Sequence, residues 1–169
     1  MWAEKLSGVN KKNWPQSKKR NVMKRITIGL IVCVAALQLS AAEAEWLTDL
    51  PKAQAKAKAE NKIVLMEFTG SDWCPPCMKM HNEVFTTPEF IAYAKANLVL
   101  VEVDFPRKKK QSAELKKANE ALEKKYDVEG YPTVIVLDKE GKKASELVGY
   151  QPGGPKAFVA TLEKIKKKA

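Results

Sequence analysis

The stretch that most limits the fold is Trp73-Cys74-Pro75-Pro76-Cys77. Two prolines in a row break the interior of a helix or a central strand. In the first turn of a helix they are tolerated, because the N–H groups they lack have no intrahelical partner there. Just upstream, Ile63-Val64-Leu65-Met66-Glu67-Phe68 is a nearly unbroken apolar run that reads as a buried strand, with Gly70-Ser71 ending it. A strand, a short loop and a helix that starts on a cysteine pair are therefore expected in that order.

The same reading extends along the chain. Trp46 to Glu60 is rich in Ala and Lys and predicts a helix, with Pro51 near its start. The helix that opens at the cysteines should run to about Phe85. Thr87-Pro88-Glu89 caps a shorter helix through Ala96. Leu98 to Val103 is a strand, and Leu115, Ala118, Leu122 and Tyr126 mark one face of a helix. Thr133 to Leu137 and Lys143 to Val148 form a hairpin across the Asp138–Gly141 turn, and Gly153-Gly154-Pro155 opens a last helix with Phe158, Leu162 and Ile165 on one face. No internal repeat is present. Strands linked by helices should run parallel and the final hairpin antiparallel. The expected class is α/β, a mixed, mostly four-stranded sheet with helices on both faces.

The 169 residues suit one folded domain behind an N-terminal leader. Lys24-Arg25, the apolar run Ile26–Leu39 and the small residues Ser40-Ala41-Ala42 have the order of a secretory signal, with cleavage expected before Glu43 and Ala44 as a second candidate site. The apolar run is shorter than the roughly 20 residues of a spanning helix, so an uncleaved anchor is the lesser reading. Met23 would itself start a signal of ordinary length, which makes residues 1–22 a candidate mis-called start. The expected domain is 43–169, secreted or periplasmic and monomeric. The net charge of +10 belongs largely to the leader: without residues 1–42, 22 basic and 19 acidic residues remain. That balance argues against a nucleic-acid partner, and the runs Arg107-Lys108-Lys109-Lys110 and Lys166-Lys167-Lys168 read as solvated helix ends. Cys33, inside the apolar run, reads as a small apolar residue of the leader.

Cys74 and Cys77 are then the two cysteines of the mature chain. A zinc site needs four ligands, and one pair plus the lone His81 falls short. A c-type haem needs His after the second cysteine, where Met78 stands. A structural bridge across two residues constrains the unfolded chain little. A redox-active pair remains, which an exported, oxidising setting permits. The helix N-terminus, with its partial positive charge, would favour a thiolate. Lowering a thiol pKa from ~8.5 to ~7 raises the thiolate fraction at pH 7 from about 3% to about 50%. Cys74, the more exposed, is expected to attack, and Cys77 to resolve the mixed disulfide.

Together, Trp73-Cys74-Pro75-Pro76-Cys77 after Glu67-Phe68, and Tyr126-Asp127-Val128-Glu129-Gly130-Tyr131-Pro132-Thr133 further on, resemble the two signatures of the thioredoxin superfamily. The nearest flavour is an exported thioredoxin-like protein related to disulfide-isomerase domains, and the resemblance covers roughly Ile63 to Lys168. It implies that Cys74 is the nucleophile, Cys77 the resolving thiol and Pro132 a cis-proline against the cysteines. It also implies that Glu67 is the buried carboxylate that exchanges a proton with Cys77. From strand pattern alone, Glu67 could equally face outward. Trp73 and Tyr131 are expected to contact substrate, Trp73 with some packing role. The chain departs from the family at Pro75, in a longer loop before Trp73, in bulky Tyr131, in a longer and more polar stretch from Pro106 to Lys125 read as a lengthened helix, and at Glu102, which stands where a lysine often pairs with the buried carboxylate.

The expected function is exchange of disulfides with protein substrates, with no cofactor and with a redox partner that resets the pair. The rival is a copper-binding or metal-delivery protein that uses Cys74 and Cys77 with Met78, Met80 or His81, since soft sulfur suits Cu(I). The plainer reading of Met78, Met80 and His81 is as ordinary helix residues, with the methionines filling core gaps.

Overall fold

The computed structural model describes residues 43–168. The leader, its cleavage site and Cys33 lie outside the described residues. Five strands form one sheet in the order β1-β3-β2-β4-β5. They are β1 (Trp46–Leu47), β2 (Ile63–Thr69), β3 (Leu98–Asp104), β4 (Thr133–Leu137) and β5 (Lys143–Val148). β1 and β2 run parallel to β3, whereas β4 runs antiparallel to both β2 and β5. The α/β class and the mixed sheet are as expected, with one strand more than the four read from sequence. Trp46 and Leu47 pair with Leu100 and Val101 as a short edge strand, and the helix expected from Trp46 begins at Leu50 instead.

The helices are α1 (Leu50–Glu60), α2 (Pro75–Met80), α3 (Pro88–Asn97), α4 (Ala113–Tyr126) and α5 (Gly154–Lys166). Oxygen side-chain caps start three of them: Asp49, Thr87 and Ser112 accept the N–H of Lys52, Phe90 and Leu115. Asn61 and Asp127, both left-handed, end α1 and α4. α2 widens into a π-helical turn at His81–Phe85, where the Thr86 N–H reaches back to the His81 carbonyl at 3.1 Å. The extra width turns Val84 and Phe85 into the core.

β2 is buried along its whole length, and its alternating side chains feed two cores. Val64, Met66 and Phe68 pack with α1 and with Tyr126 at the end of α4. Ile63 and Leu65 lie in the other core, with Met80, Phe85, Phe90, Phe158 and Leu162. Glu67 follows Ile63 and Leu65 in the alternation, so it projects towards the layer that holds α2. Residues 105–112, between β3 and α4, form a loop. Arg107–Lys110 is therefore not a helix end, and the lengthened helix read from Pro106 to Lys125 starts only at Ala113. Lys166–Lys168 does lie at the end of α5.

Candidate active site

Cys74 is the N-cap of α2, and Pro75-Pro76 occupy its first turn. The Cys77 N–H points at the Cys74 sulfur, 3.3 Å away. The two cysteines are joined in a disulfide with Cα atoms 5.3 Å apart. Cys74 is 4% exposed and Cys77 1%, so the difference in exposure has the expected direction but is small. Position separates them more clearly. A thiolate at Cys74 would sit at the positive end of the helix with a backbone donor already aimed at it.

The loop from β2 to α2 is anchored to the loop after β3. Ser71 donates its N–H and its hydroxyl to the Asp104 carboxylate at 2.9 and 2.6 Å. Trp73 Nε1 donates to the Phe105 carbonyl at 2.7 Å. Asp72 accepts the N–H groups of Arg107, Lys108 and Lys109 at 3.0, 2.7 and 2.9 Å. These backbone donors, Arg107 first, hold the Asp72 carboxyl down at about 2. The Arg107 guanidinium lies 3.8 Å from the centre of the Trp73 ring. Gly70 leaves room for that ring: a Cβ there would come within 2.5 Å of Trp73.

Tyr131–Pro132 is a cis peptide bond. Pro132 is buried and leads into β4, whose Thr133 pairs with Phe68 near the end of β2. The register thus brings the proline turn beside the strand that feeds the cysteine loop. Tyr131 stacks on Phe105 with ring centres 5.2 Å apart, meets Trp73 edge-on at 6.0 Å, and donates its hydroxyl to Glu123. The backbone N–H and C=O of Tyr131 make no backbone hydrogen bond among the described residues.

Glu67 is 3% exposed, and its Oε1 has no hydrogen-bond partner. The outward-facing alternative therefore does not describe it. Burial, reinforced by Glu102 and then Asp104, pushes its carboxyl up to about 8. Glu102, its register partner on β3, is also raised, by burial first and then by Asp104. Of the residues weighed as metal ligands, Met80 is fully buried in the core, whereas Met78 and His81 are exposed. Among the described residues no group of three or more His, Cys, Asp or Glu side chains is disposed to hold a metal ion.

Sequence alone singles out Cys74, Cys77, Trp73, Tyr131, Pro132 and Glu67. The structure places Trp73 against Tyr131, the cysteines in one bridge and Glu67 on the α2 side of the sheet. Sequence alone misses Ser71, Asp72, Asp104 and Phe105, which fix the loop. Only the register shows why they meet: Thr69 and Asp104 end adjacent strands side by side, which brings the segments that follow them together.

A disulfide at a helix N-terminus, a cis-proline turn beside the strand that feeds the cysteine loop and a mixed sheet behind them define a thiol–disulfide oxidoreductase of the thioredoxin fold. The chain belongs to the thioredoxin-like domain family, which matches residues 50–166. It is 36% identical over 125 residues to the disulfide bond reductase DsbH of Chlamydia pneumoniae, covering 74% of each chain. It is 32% identical to the thioredoxin-related protein DsbJ of the same organism, over 76% of this chain but 39% of that one. A solved DsbH oxidoreductase structure superposes with a TM-score of 0.71 at 35% identity, covering 78% of this chain and 90% of the other. The C-terminal domain of DsbD from Neisseria meningitidis, at 20% identity and a TM-score of 0.52, shares the fold; the match covers 72% of this chain and all of that domain.

Proposed function

We propose that the protein is made with a cleaved leader, begins near Glu43, and reduces protein disulfides in a periplasm-like compartment. The observation that carries this reading is the Cys74–Cys77 disulfide at the start of α2, with the Cys77 N–H on the Cys74 sulfur. The direction of electron flow is supported by similarity to a protein named as a disulfide bond reductase. The leader rests on the sequence of Lys24-Arg25, the apolar run and Ser40-Ala41-Ala42. Among the described residues no helix is long and apolar enough to cross a membrane.

The reduced protein carries two thiols. The Cys74 thiolate attacks one sulfur of a substrate disulfide; a new S–S bond forms, and the other substrate sulfur leaves as a thiolate that takes up a proton. The Cys77 thiol then gives its proton to the Glu67 carboxylate, the minor form at neutral pH for a group raised to about 8, and attacks the Cys74 sulfur. The second substrate sulfur leaves and is protonated. The substrate gains two electrons, the Cys74–Cys77 bridge closes, and a donor dithiol on another protein must reduce it again. Glu67 suits the proton step because burial holds its carboxyl at about 8, between a carboxylate and a thiol. Trp73 and Tyr131 form the wall against which substrate lies, and the unpaired backbone of Tyr131 can bond an extended substrate segment as an added strand.

Equilibration in a glutathione series tests the direction. A reductant gives a potential well below about −200 mV, towards the thioredoxin value of about −270 mV; a value near about −120 mV would make the protein an oxidant instead.

A further inference from the structure

We propose that the Arg107–Lys110 loop is a docking surface for acidic polypeptide, so that the protein favours substrate disulfides flanked by aspartate and glutamate. The inference rests on the disulfide-exchange reading above and adds a substrate class to it. Arg107, Lys108, Lys109 and Lys110 are consecutive and all exposed. Among the described residues none of the four forms an ion pair with a carboxylate side chain at salt-bridge distance. The patch stands out from a domain that is otherwise near charge balance.

Its position ties it to the cysteines. Arg107 lies on Trp73, the residue before Cys74, and Lys109 Nζ reaches the Ser71 hydroxyl at 3.2 Å. The loop is also held in place. Its backbone is fixed by Asp72, while the flanking Asp104 carbonyl accepts the side-chain amides of Gln111 and Asn119 at 3.2 and 2.8 Å. Four cationic side chains are thus presented from a preorganised backbone at the rim of the site, which limits the ordering cost of binding. The nearby acids offset them only in part: Asp72 is occupied by backbone donors, Asp104 by Ser71, and Glu102 is half-buried. Screening over roughly 8 Å at physiological salt confines the attraction to charges close to the scissile disulfide. A rim patch of this kind acts mainly on the rate of encounter.

The test uses two disulfide-bonded peptides of equal length, one flanked by Asp and Glu and one by Lys. Neutral hydroxyethyl disulfide serves as the reference for chemistry at the cysteines. With the reduced protein at low salt, the acidic peptide should be reduced about tenfold faster than the basic one, the low end of electrostatic steering. High salt should erase the ratio, and Lys108→Glu/Lys109→Glu/Lys110→Glu, which keeps every backbone N–H that Asp72 needs, should reverse it. Equal rates at low salt, or a preference that survives both high salt and the triple substitution, overturn the proposal, and the salt series alone decides if that variant does not fold. Binding to phosphatidylserine vesicles without any peptide preference would assign the patch to lipid and overturn it too. Failure to reduce hydroxyethyl disulfide as well as both peptides would instead bring down the exchange reading on which it rests.

Discussion

Glu67 and Glu102 are register partners on the parallel strands β2 and β3, two carboxylates side by side on the sheet face that carries α2. Glu67 is buried with one oxygen unpartnered, and its carboxyl is raised from 4.5 to about 8. Between those values the native state holds a proton that the unfolded chain has lost, so stability falls as pH rises. The stabilisation is complete below about 4.5 and gone above about 8. A tenfold change in proton affinity is worth about 1.4 kcal/mol, so crossing the whole window loses a few kcal/mol. Urea unfolding of the oxidised protein at pH 5, 7 and 9 should show this slope, and Glu67→Gln should flatten it. An unchanged slope in the variant would show that Glu67 is not the group that titrates.

Glu102→Gln removes the second cause of the raised Glu67 pKa and leaves burial, the first, in place. The Glu67 carboxyl should therefore fall but stay well above 4.5. In the pH profile of disulfide reduction, the limb assigned to Glu67 should move to lower pH, while Glu67→Gln removes that limb. Movement to higher pH would contradict the like-charge account.

Gly70→Ala forces a methyl group into the Trp73 indole, since a Cβ would approach it to 2.5 Å. Overpacking of this kind costs about 1–3 kcal/mol. The ring must shift and strain its hydrogen bond to the Phe105 carbonyl. The expected result is a lowered unfolding midpoint, altered Trp fluorescence and several-fold slower reduction of protein substrates. Wild-type stability and rate would show that the loop adapts freely.

Phe158 tests the other end of the fold. It is buried between Phe85 and Phe90, with ring centres 5.7 and 6.0 Å away. Phe158→Ala should cost about 3–5 kcal/mol, as for other large aromatic deletions, and calorimetry or denaturant unfolding would measure it. A loss below about 1 kcal/mol would mean that α5 contributes little to this core.

The fold was legible wherever residues carried a strong local signal. The apolar run Ile63–Phe68, the double proline at 75–76, and the hairpin at Asp138–Gly141 each fix one element, and the structure has all three. In the hairpin, Asp138 closes the turn by accepting the N–H groups of Glu140 and Lys142, and Gly141 takes a φ of 80°. Trp46–Leu47 reads as helix because a two-residue strand has no periodicity of its own; it exists only through pairing with Leu100 and Val101. The π-helical turn at His81–Phe85 is hidden for a similar reason, since the demand for it comes from where Val84 and Phe85 must pack. The cis peptide at Pro132 was legible through family resemblance, not through composition. The clamp of Asp72 on residues 107–109 links positions some 35 apart and leaves no local trace, which is why the basic run reads as a helix end.

Export is tested by N-terminal sequencing of the secreted protein. The expected first residue is near Glu43, and retention of Ile26–Leu39 would show a membrane anchor in place of a cleaved signal.

Trapping of mixed disulfides tests the assignment of chemistry to the cysteine pair most directly. Cys77→Ser removes the resolving thiol, so substrate should stay bound through Cys74 and accumulate as covalent complexes seen by mass spectrometry. Cys74→Ser leaves only the more buried sulfur and should trap little. Equal trapping by the two variants, or none by Cys77→Ser, would contradict the account.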